Sequence, residues 1–388
     1  MKIPALLFAV CICCVHYGAI GEDLFYEQPI PARPIQMVVP VTIEGKAHSF
    51  LLDTGANVYT INPHLRKELR TQLGTFPMRG LGRDGDIEVF ATPRMLLGEW
   101  RLPEGRMGIF DSTPFKAALG IDLSGIFGNE ALKGVEMSVD FDRGRLKFIS
   151  SDTYIAKGMN WVPLRLSAAR LVPTISAKLA NQDVEFSIDT GTNDCIGIAH
   201  ERFAKLVSDG VIELDGSGMA VSRETATGKH RAATGRFTRG TFLGVNLEKM
   251  PVTDTGTVEL LGMMFLINFN FILDIPAGRF YYQKRDAEPP IRHHLMMGMA
   301  LTFPGDRCEV LALAPGGGPA AEIGIQKGDR ILKFGDLAAR ELNYSSIYEF
   351  CLKHAGKIVD VEFFREGKNE SVKAKLAIRE KQYVFPPQ

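Results

Sequence analysis

Two copies of the tripeptide Asp-Thr-Gly supply the acidic side chains that could carry out chemistry in this sequence of 388 residues. Asp53 and Asp189 each follow an apolar segment, and the strings 50–57 and 186–193 are identical at five positions. If two-fold packing brings the turns together, two carboxylates about 3 Å apart share one proton. The ionised carboxylate can then take a proton from a water molecule that attacks a carbonyl group, while the protonated one donates to the oxyanion or the leaving group.

The residues around the two aspartates repeat along most of the chain. Each aspartate follows a predicted β-hairpin, and each is followed at nearly equal distance by two apolar residues and a glycine, Gly128 in the first copy and Gly262 in the second. Past these glycines the spacing is identical for three further pairs, namely Asp140 and Asp274, Gly144 and Gly278, and Arg145 and Arg279. The repeat predicts two copies of one β-rich lobe, residues 22–150 and 151–284, that pack face to face as a pseudo-dimer.

The paired tripeptides and the distal glycine motifs resemble the aspartic peptidases, and the resemblance covers nearly all of residues 35–284. It implies a mainly β, bilobal, retropepsin-like or pepsin-like acid protease fold. It further implies an aspartic-type endopeptidase that acts on a polypeptide substrate, with Asp53 and Asp189 as the catalytic pair and with neither a metal nor a cofactor. The main alternative is a peptide-binding or scaffolding protein that keeps the fold without turnover.

The resemblance also assigns supporting roles beside the aspartates. Hydroxyls that bridge the lobes and backbone N–H groups that bind the carboxylates are expected from four residues, Thr54, Thr190, Gly55 and Gly191. Thr192 is expected to offer its hydroxyl to Asp189, whereas the first copy has Ala56 at this place. Because a hydrogen bond favours the charged form of a carboxylate, Asp189 is predicted to be the more readily ionised member of the pair.

Other motifs are less specific. A third Asp-Thr-Gly begins at Asp254, but its place just before Gly262 does not correspond to that of Asp53, so we expect it to lie outside the catalytic pair. The glycine-rich stretches 79–86 and 224–230 are either flaps that close over substrate or ordinary surface loops.

Two histidines stand at matching positions in the repeat. His64 and His200 follow their aspartates at the same distance, near the predicted start of a helix. We expect an exposed or capping role for both, because the chemistry of paired carboxylates needs no imidazole.

The last third of the sequence has a different pattern. After a polar linker at 285–295, residues 296–388 resemble a PDZ domain of the bacterial protease-associated kind, on the basis of the glycine-rich run 315–322 and the turn and apolar strand at 328–332. This implies a PDZ-like α+β domain that takes an extended or C-terminal peptide as an added strand, with a peptide-binding loop of Gly298, Met299, Ala300 and Leu301. A purely structural or autoregulatory role is the alternative.

Two cysteines of the C-terminal part leave two interpretations open. Cys308 and Cys351 either form a disulfide or are plain core cysteines. No spacing of cysteine and histidine resembles a zinc site, so no metal is expected.

Residues 1–21 have the pattern of a signal peptide, with Lys2, an apolar run and small residues before Glu22. This predicts an exported protein, periplasmic or secreted, without a stable membrane span once the signal is removed; an uncleaved anchor is the alternative. Lys and Arg total 45, as do Asp and Glu, so the net charge is +0 and no global field would gather nucleic acid. We expect a monomer whose catalytic unit is a pseudo-dimer.

Overall fold

The computed structural model describes residues 24–31, 36–78, 85–150, 156, 158–168, 171–180, 182–214, 221–225, 228–286, 296–314 and 317–379. The expected signal peptide and most of the expected linker therefore lie outside the described residues.

The first lobe, residues 24–150, consists mainly of short strands joined by tight turns. Apolar and polar residues alternate in these strands, so that Val39, Val41 and Ile43 are buried while their neighbours are more exposed. The strands are β1 (Leu24–Pro29), β2 (Val38–Ile43), β3 (Lys46–Leu52), β4 (Tyr59–Ile61), β5 (Gln72–Met78), β6 (Gly85–Ala91), β7 (Met95–Leu97), β8 (Trp100–Arg101), β9 (Arg106–Ile109), β10 (Gly125–Phe127), β11 (Val135–Asp140) and β12 (Arg145–Ser150). Helix α1 (Thr113–Leu119) and 3-10 turns at Pro63–Glu68 and Asn129–Leu132 complete the lobe.

The second lobe, residues 158–286, repeats this order with a longer helix after the candidate turn. Its strands are β13 (Asn160–Leu166), β14 (Pro173–Leu179), β15 (Gln182–Ile188), β16 (Ile196–Ala199), β17 (Ile212–Leu214), β18 (Val221–Thr225), β19 (Gly228–Ala232), β20 (Thr234–Phe237), β21 (Thr241–Phe242), β22 (Val245–Asn246), β23 (Pro251–Gly256), β24 (Leu260–Leu261), β25 (Phe269–Asp274) and β26 (Arg279–Lys284). Its helices are α2 (His200–Ser208) and α3 (Met263–Leu266).

A shared antiparallel sheet joins the lobes in the order β1-β12-β11-β25-β26-β13. At its centre β11 pairs with β25, its counterpart in the repeat, and Ser138 faces Ile272, which is its own counterpart. The pseudo-two-fold axis therefore passes through this pair. Buried apolar residues of both lobes form one continuous cluster, and the predicted mainly β, two-lobed architecture is confirmed.

The turn after β11 shows why the repeat keeps Asp and Gly together. The carboxylate of Asp140 accepts a hydrogen bond from the N–H of Arg143 (2.9 Å), and Gly144 adopts a left-handed φ of 65°. In the second lobe Asp274 accepts from the N–H of Ala277 at the same distance. Asp140 and Asp274 thus each stabilise the turn of their own hairpin.

The C-terminal module, residues 296–379, has its own buried cluster and its own sheet. Its strands are β27 (Met299–Thr302), β28 (Cys308–Leu313), β29 (Arg330–Phe334), β30 (Leu337–Ala338), β31 (Ile358–Arg365) and β32 (Glu370–Ala377), and its helices are α4 (Pro319–Glu322) and α5 (Tyr344–Lys353). The sheet order β27-β28-β29-β31-β32 leaves β27 at an edge.

Candidate active site

The backbone holds each candidate aspartate at the end of a core strand. In the first lobe β10 runs parallel to β3, and the N–H of Asp53 donates to the carbonyl of Phe127 (3.0 Å). In the second lobe β24 runs parallel to β15, and the N–H of Asp189 donates to the carbonyl of Leu261 (3.0 Å). β10 and β24, which lead into the distal glycines, thus hold the two aspartates in place.

The distal glycines allow close approach of these two segments. A Cβ at Gly128 would lie 2.7 Å from the carbonyl carbon of Val58, and one at Gly262 would lie 3.0 Å from that of Asp194. Any larger residue would push the turn away from its strand. Both glycines predicted from the sequence therefore have a steric role in positioning the aspartates.

The two threonines exchange hydrogen bonds across the lobe interface. The N–H of Thr54 donates to Oγ1 of Thr190, and the N–H of Thr190 donates to Oγ1 of Thr54, both at 3.1 Å. Each hydroxyl then donates across the interface, that of Thr54 to the carbonyl of Ile188 (2.6 Å) and that of Thr190 to the carbonyl of Leu52 (2.8 Å). Both side chains are fully buried, so these four bonds lock the two turns together.

The carboxyl groups meet above this lock. Oδ1 of Asp53 accepts from the N–H groups of Gly55 (2.8 Å) and Ala56 (3.1 Å), and Oδ1 of Asp189 accepts from the N–H of Gly191 (3.0 Å). A Cβ at Gly55 would lie 2.5 Å from Cγ of Asp189, and a Cβ at Gly191 would overlap the carboxyl of Asp53. Each carboxyl group is therefore packed on the glycine that follows the other aspartate.

The expected bond from Thr192 to Asp189 is wrong. The hydroxyl of Thr192 donates instead to Oδ2 of Asp194 (3.0 Å), and a hydroxyl has only one proton to give. The reason is a contact that the sequence does not display: a Cβ at Gly262 would lie 2.8 Å from the methyl carbon of Thr192, so this methyl group packs on the glycine. The prediction that Asp189 ionises more readily than Asp53 depended on this hydrogen bond, so the structure gives it no support.

The third Asp-Thr-Gly lies away from the carboxyl pair. Asp254 belongs to β23, beside Ile198 of β16, and its carboxylate contacts Nδ1 of His200 (2.7 Å) and accepts from the N–H of Gly256 (2.9 Å). The hydrogen bond to Asp254, together with its charge, raises the pKa of His200 above its ordinary value.

The two flap candidates fall on hairpins. β5 and β6 pair antiparallel around residues 79–84, and β18 pairs with β19 around residues 226–227. Both connecting segments lie outside the described residues, so their interpretation as flaps stays a prediction.

The candidate peptide-binding loop lies at the edge strand of the C-terminal module. Gly298 has a left-handed φ of 74° and packs against Gly318, while Met299, Ala300 and Leu301 belong to β27. The interpretation of Cys308 and Cys351 as a disulfide is wrong, because both are free and buried in the core. Burial, followed by the charge of Glu309, raises the pKa of Cys308 to about 12.

Two general features of the described residues concern metals and membranes. They contain no group of three or more His, Cys, Asp or Glu side chains that could hold a metal ion. No helix among them has the length and the apolar character needed to cross a bilayer.

Sequence reasoning missed two residues of this region, Asp194 and Thr253. The carboxylate of Asp194 is buried and accepts a hydrogen bond from Thr253 as well as from Thr192. The Thr-Asn-Asp string was a usable signal, because Thr side chains often bond to groups two residues on.

Comparisons with known proteins agree with the geometry of the first lobe. Residues 39–130 match the family model described as aspartyl protease, a segment that includes Asp53 and Gly128. No curated protein matches the chain. Among solved structures, the aspartic proteinase from Irpex lacteus is similar at 14% identity over 67% of this chain and 98% of its own, with a TM-score of 0.41. The segment that matches the aspartyl protease model thus lies in the first lobe of a mainly β, two-lobed structure.

Proposed function

We propose that this protein is an exported aspartic-type endopeptidase that hydrolyses peptide bonds through Asp53 and Asp189. The observation that carries the proposal is the reciprocal packing of each carboxyl group on the glycine of the other turn. A protein that only binds peptide needs no such convergence of two acids, whereas a water-activating pair needs both within reach of one molecule.

The geometry supplies the parts of a general acid-base mechanism. The pair shares one proton, because two neighbouring carboxylates cannot both ionise easily. The ionised carboxylate removes a proton from a water molecule, the resulting hydroxide bonds to the scissile carbonyl carbon, and the protonated carboxyl gives its proton to the carbonyl oxygen. Collapse of the tetrahedral intermediate breaks the C–N bond, and the amine leaves with a proton returned through the pair.

The C-terminal module is proposed to recruit or orient polypeptide. Its edge strand β27 offers backbone groups to which an extended or C-terminal peptide could add as a strand. The signal-like residues 1–21 support export to the periplasm or the exterior, and the pseudo-dimeric pair within one chain supports a monomer.

The direct test is hydrolysis of an unstructured polypeptide by the chain from residue 22 onward, across a range of pH. Asp53→Asn and Asp189→Asn should each reduce turnover by about 1,000-fold or more, because each removes one of two groups that act as a unit. Asp254→Asn is the matched control, since it changes the third Asp-Thr-Gly and should leave turnover unchanged. A statine-type inhibitor should block the parent.

Full turnover by both dyad variants would refute the assignment of the pair. Binding of polypeptide without hydrolysis at any pH would instead favour the non-catalytic peptide-binding alternative.

A further inference from the structure

The backbone of β27 shows which of its residues could bind an added strand. Among the described strands, β27 pairs with β28 alone. The carbonyl of Gly298, just before β27, accepts from the residue that follows β28 (2.9 Å), whereas the N–H of Phe303, just after β27, donates to Ala117 of α1 (2.6 Å). Backbone groups alternate in direction along a strand, so those of Met299 and Leu301 point to the same outer side as the N–H of Phe303.

One irregularity in the pairing of β27 with β28 does not disturb this alternation. The register shifts between Ala300 and Leu301, and the extra residue, Leu311, belongs to β28. β27 is therefore continuous up to Phe303, and its outer side presents the backbone groups of two residues before that point.

Helix α1 occupies the next position on this outer side. The carbonyl of Ala117 takes the N–H of Phe303, which is the donor that a longer added strand would need, and it also accepts from the hydroxyl of Thr302 (3.0 Å). The end of α1 fills the gap between β27 and α5, because a Cβ at Gly120 would lie 3.0 Å from Cγ of Phe303 and 2.9 Å from Cβ of Asn343, the residue before α5. An added strand therefore cannot continue past β27 while the module is docked.

The first lobe holds both ends of α1. The hydroxyl of Ser112, which precedes the helix, donates to the carbonyl of Leu123 (2.7 Å) and accepts from the side-chain amide of Asn62 (2.6 Å). Beyond the helix, the N–H of Asn62 donates to the carbonyl of Ser124 (2.8 Å). These bonds tie α1 to strand β4 and to the start of β10, so the helix is a fixed stop at the end of β27.

The stop determines how much of a peptide can pair with the module. A peptide that runs antiparallel to β27 has its C-terminal end near Gly298 and its N-terminal end toward α1. Residues of paired strands face each other one to one, so β27 (Met299–Thr302) has room for about four residues of peptide.

We propose that α1 determines the length of peptide that the C-terminal module binds, an inference that rests on the proposed function. About four residues of an extended peptide pair with β27, and the residues that precede them turn away from the strand at α1. The affinity of the module therefore depends on these few residues and does not increase with longer peptides.

The test measures amide hydrogen exchange in the full chain carrying Asp53→Asn, so that added peptides are not cleaved. The probes are two pools of random peptides, one of about four residues and one of about ten, at matched total concentrations. Both pools should slow exchange at Leu301 by about tenfold, with half of the effect at similar concentrations. Exchange at Phe303 should not change, because its N–H stays bonded to Ala117.

Gly120→Ala in the same background tests the stop itself. Its methyl group would overlap Phe303 and Asn343 and so weaken the docking of the module on α1. In this variant the longer pool should act at a severalfold lower concentration than the shorter one, since each further backbone hydrogen bond tightens binding. Gly134→Ala is the matched control, because it adds a methyl group in open space at a similar left-handed φ.

Three results would overturn the inference. If the longer pool acted at an about tenfold lower concentration than the shorter one without Gly120→Ala, or if it changed exchange at Phe303, the strand would continue past α1 and only peptide binding by the module would be kept. Equal action of both pools in Gly120→Ala would show that α1 is not the stop. Failure of both pools to slow exchange at Leu301 would refute the proposed role of the module as well, whereas the assignment of Asp53 and Asp189 is tested separately by hydrolysis.

Discussion

The two lobes have the same contacts around the carboxyl pair and differ in segments that do not contact it. Asp, Thr and Gly of each turn and the distal glycine make corresponding contacts in both lobes. The first lobe, however, inserts α1 between β9 and β10, whereas only residues 257–259 separate β23 from β24 in the second. The difference shows which parts of the repeat serve the pair and which were free to change.

Helix α1 is the part of the first lobe on which the C-terminal module docks. The carbonyl of Ala117, in the last turn of α1, accepts hydrogen bonds from the N–H of Phe303 (2.6 Å) and the hydroxyl of Thr302 (3.0 Å). Helix ends leave such carbonyl groups without intrahelical partners, so the module completes the helix. α1 also contacts β18 of the second lobe and α5 of the module. The insertion therefore links all three parts of the chain.

Among the variants that compare the two lobes, the largest effect is expected from the glycines of the two turns. Gly55→Ala and Gly191→Ala each place a methyl group on the carboxyl of the opposite aspartate. We expect each to lower kcat/KM by more than about 100-fold, since displacement of a reacting group by about 1 Å costs that much. The measurement is steady-state hydrolysis of one peptide by both variants, with circular dichroism as the check on folding. A large loss for only one glycine would show that the two turns do not contribute equally.

The reciprocal hydrogen bonds of Thr54 and Thr190 predict that loss of either hydroxyl destabilises the fold by a similar amount. Thr54→Val and Thr190→Val keep the shape of the side chain but leave a buried N–H and a buried carbonyl of the other lobe without this partner. Each should lower the free energy of unfolding by about 2–4 kcal/mol, measured by urea denaturation. Thr→Ser at either place retains the hydroxyl and should cost less. Unequal losses from the two valine variants would contradict the reciprocal arrangement.

The sequence was sufficient to predict the carboxyl pair, because the motif that positions each aspartate is short and occurs twice in the chain. Asp53 and Asp189 lie at the ends of apolar strands, and the distal glycines stand at a fixed distance, so pattern and spacing alone located them. The orientation of the Thr192 hydroxyl could not be predicted in this way, because it depends on packing of the methyl group against Gly262, far along the chain.

The contact between α1 and the C-terminal module could not be predicted from the sequence either. The distances from the aspartates to their distal glycines are nearly equal, so they do not reveal the insertion of α1, and nothing in its residues shows that Ala117 would contact Phe303. Surfaces that meet only in the folded chain leave no periodic signal of the kind that reveals strands and helices.

A smaller effect tests whether α1 holds the module. Gly120 ends α1 with a φ of 70°, and a Cβ there would lie 2.9 Å from Cβ of Asn343 and 3.0 Å from Cγ of Phe303. Gly120→Ala should therefore cost about 2 kcal/mol more than Gly134→Ala, which has a similar φ of 86° but open space around it. Hydrogen exchange should show faster exchange at Thr302 and Phe303 in the first variant alone. Equal exchange in both variants would mean that the contact does not hold the module.

The smallest predicted effect concerns His200 of the second lobe and its contact with Asp254. The raised pKa of His200, caused by its hydrogen bond to Asp254, means that the folded state binds the proton more tightly than the unfolded state, where the ordinary value is 6.5. The contact between His200 and Asp254 should therefore add stability that is complete below pH 6.5 and is lost as the pH rises through the raised pKa of His200. Because His200 is exposed, this gain should be small and sensitive to salt. Unfolding free energies of the parent and His200→Gln should differ more at pH 5 than at pH 9. An equal difference at both pH values would show that the contact with Asp254 does not stabilise the protonated form of His200.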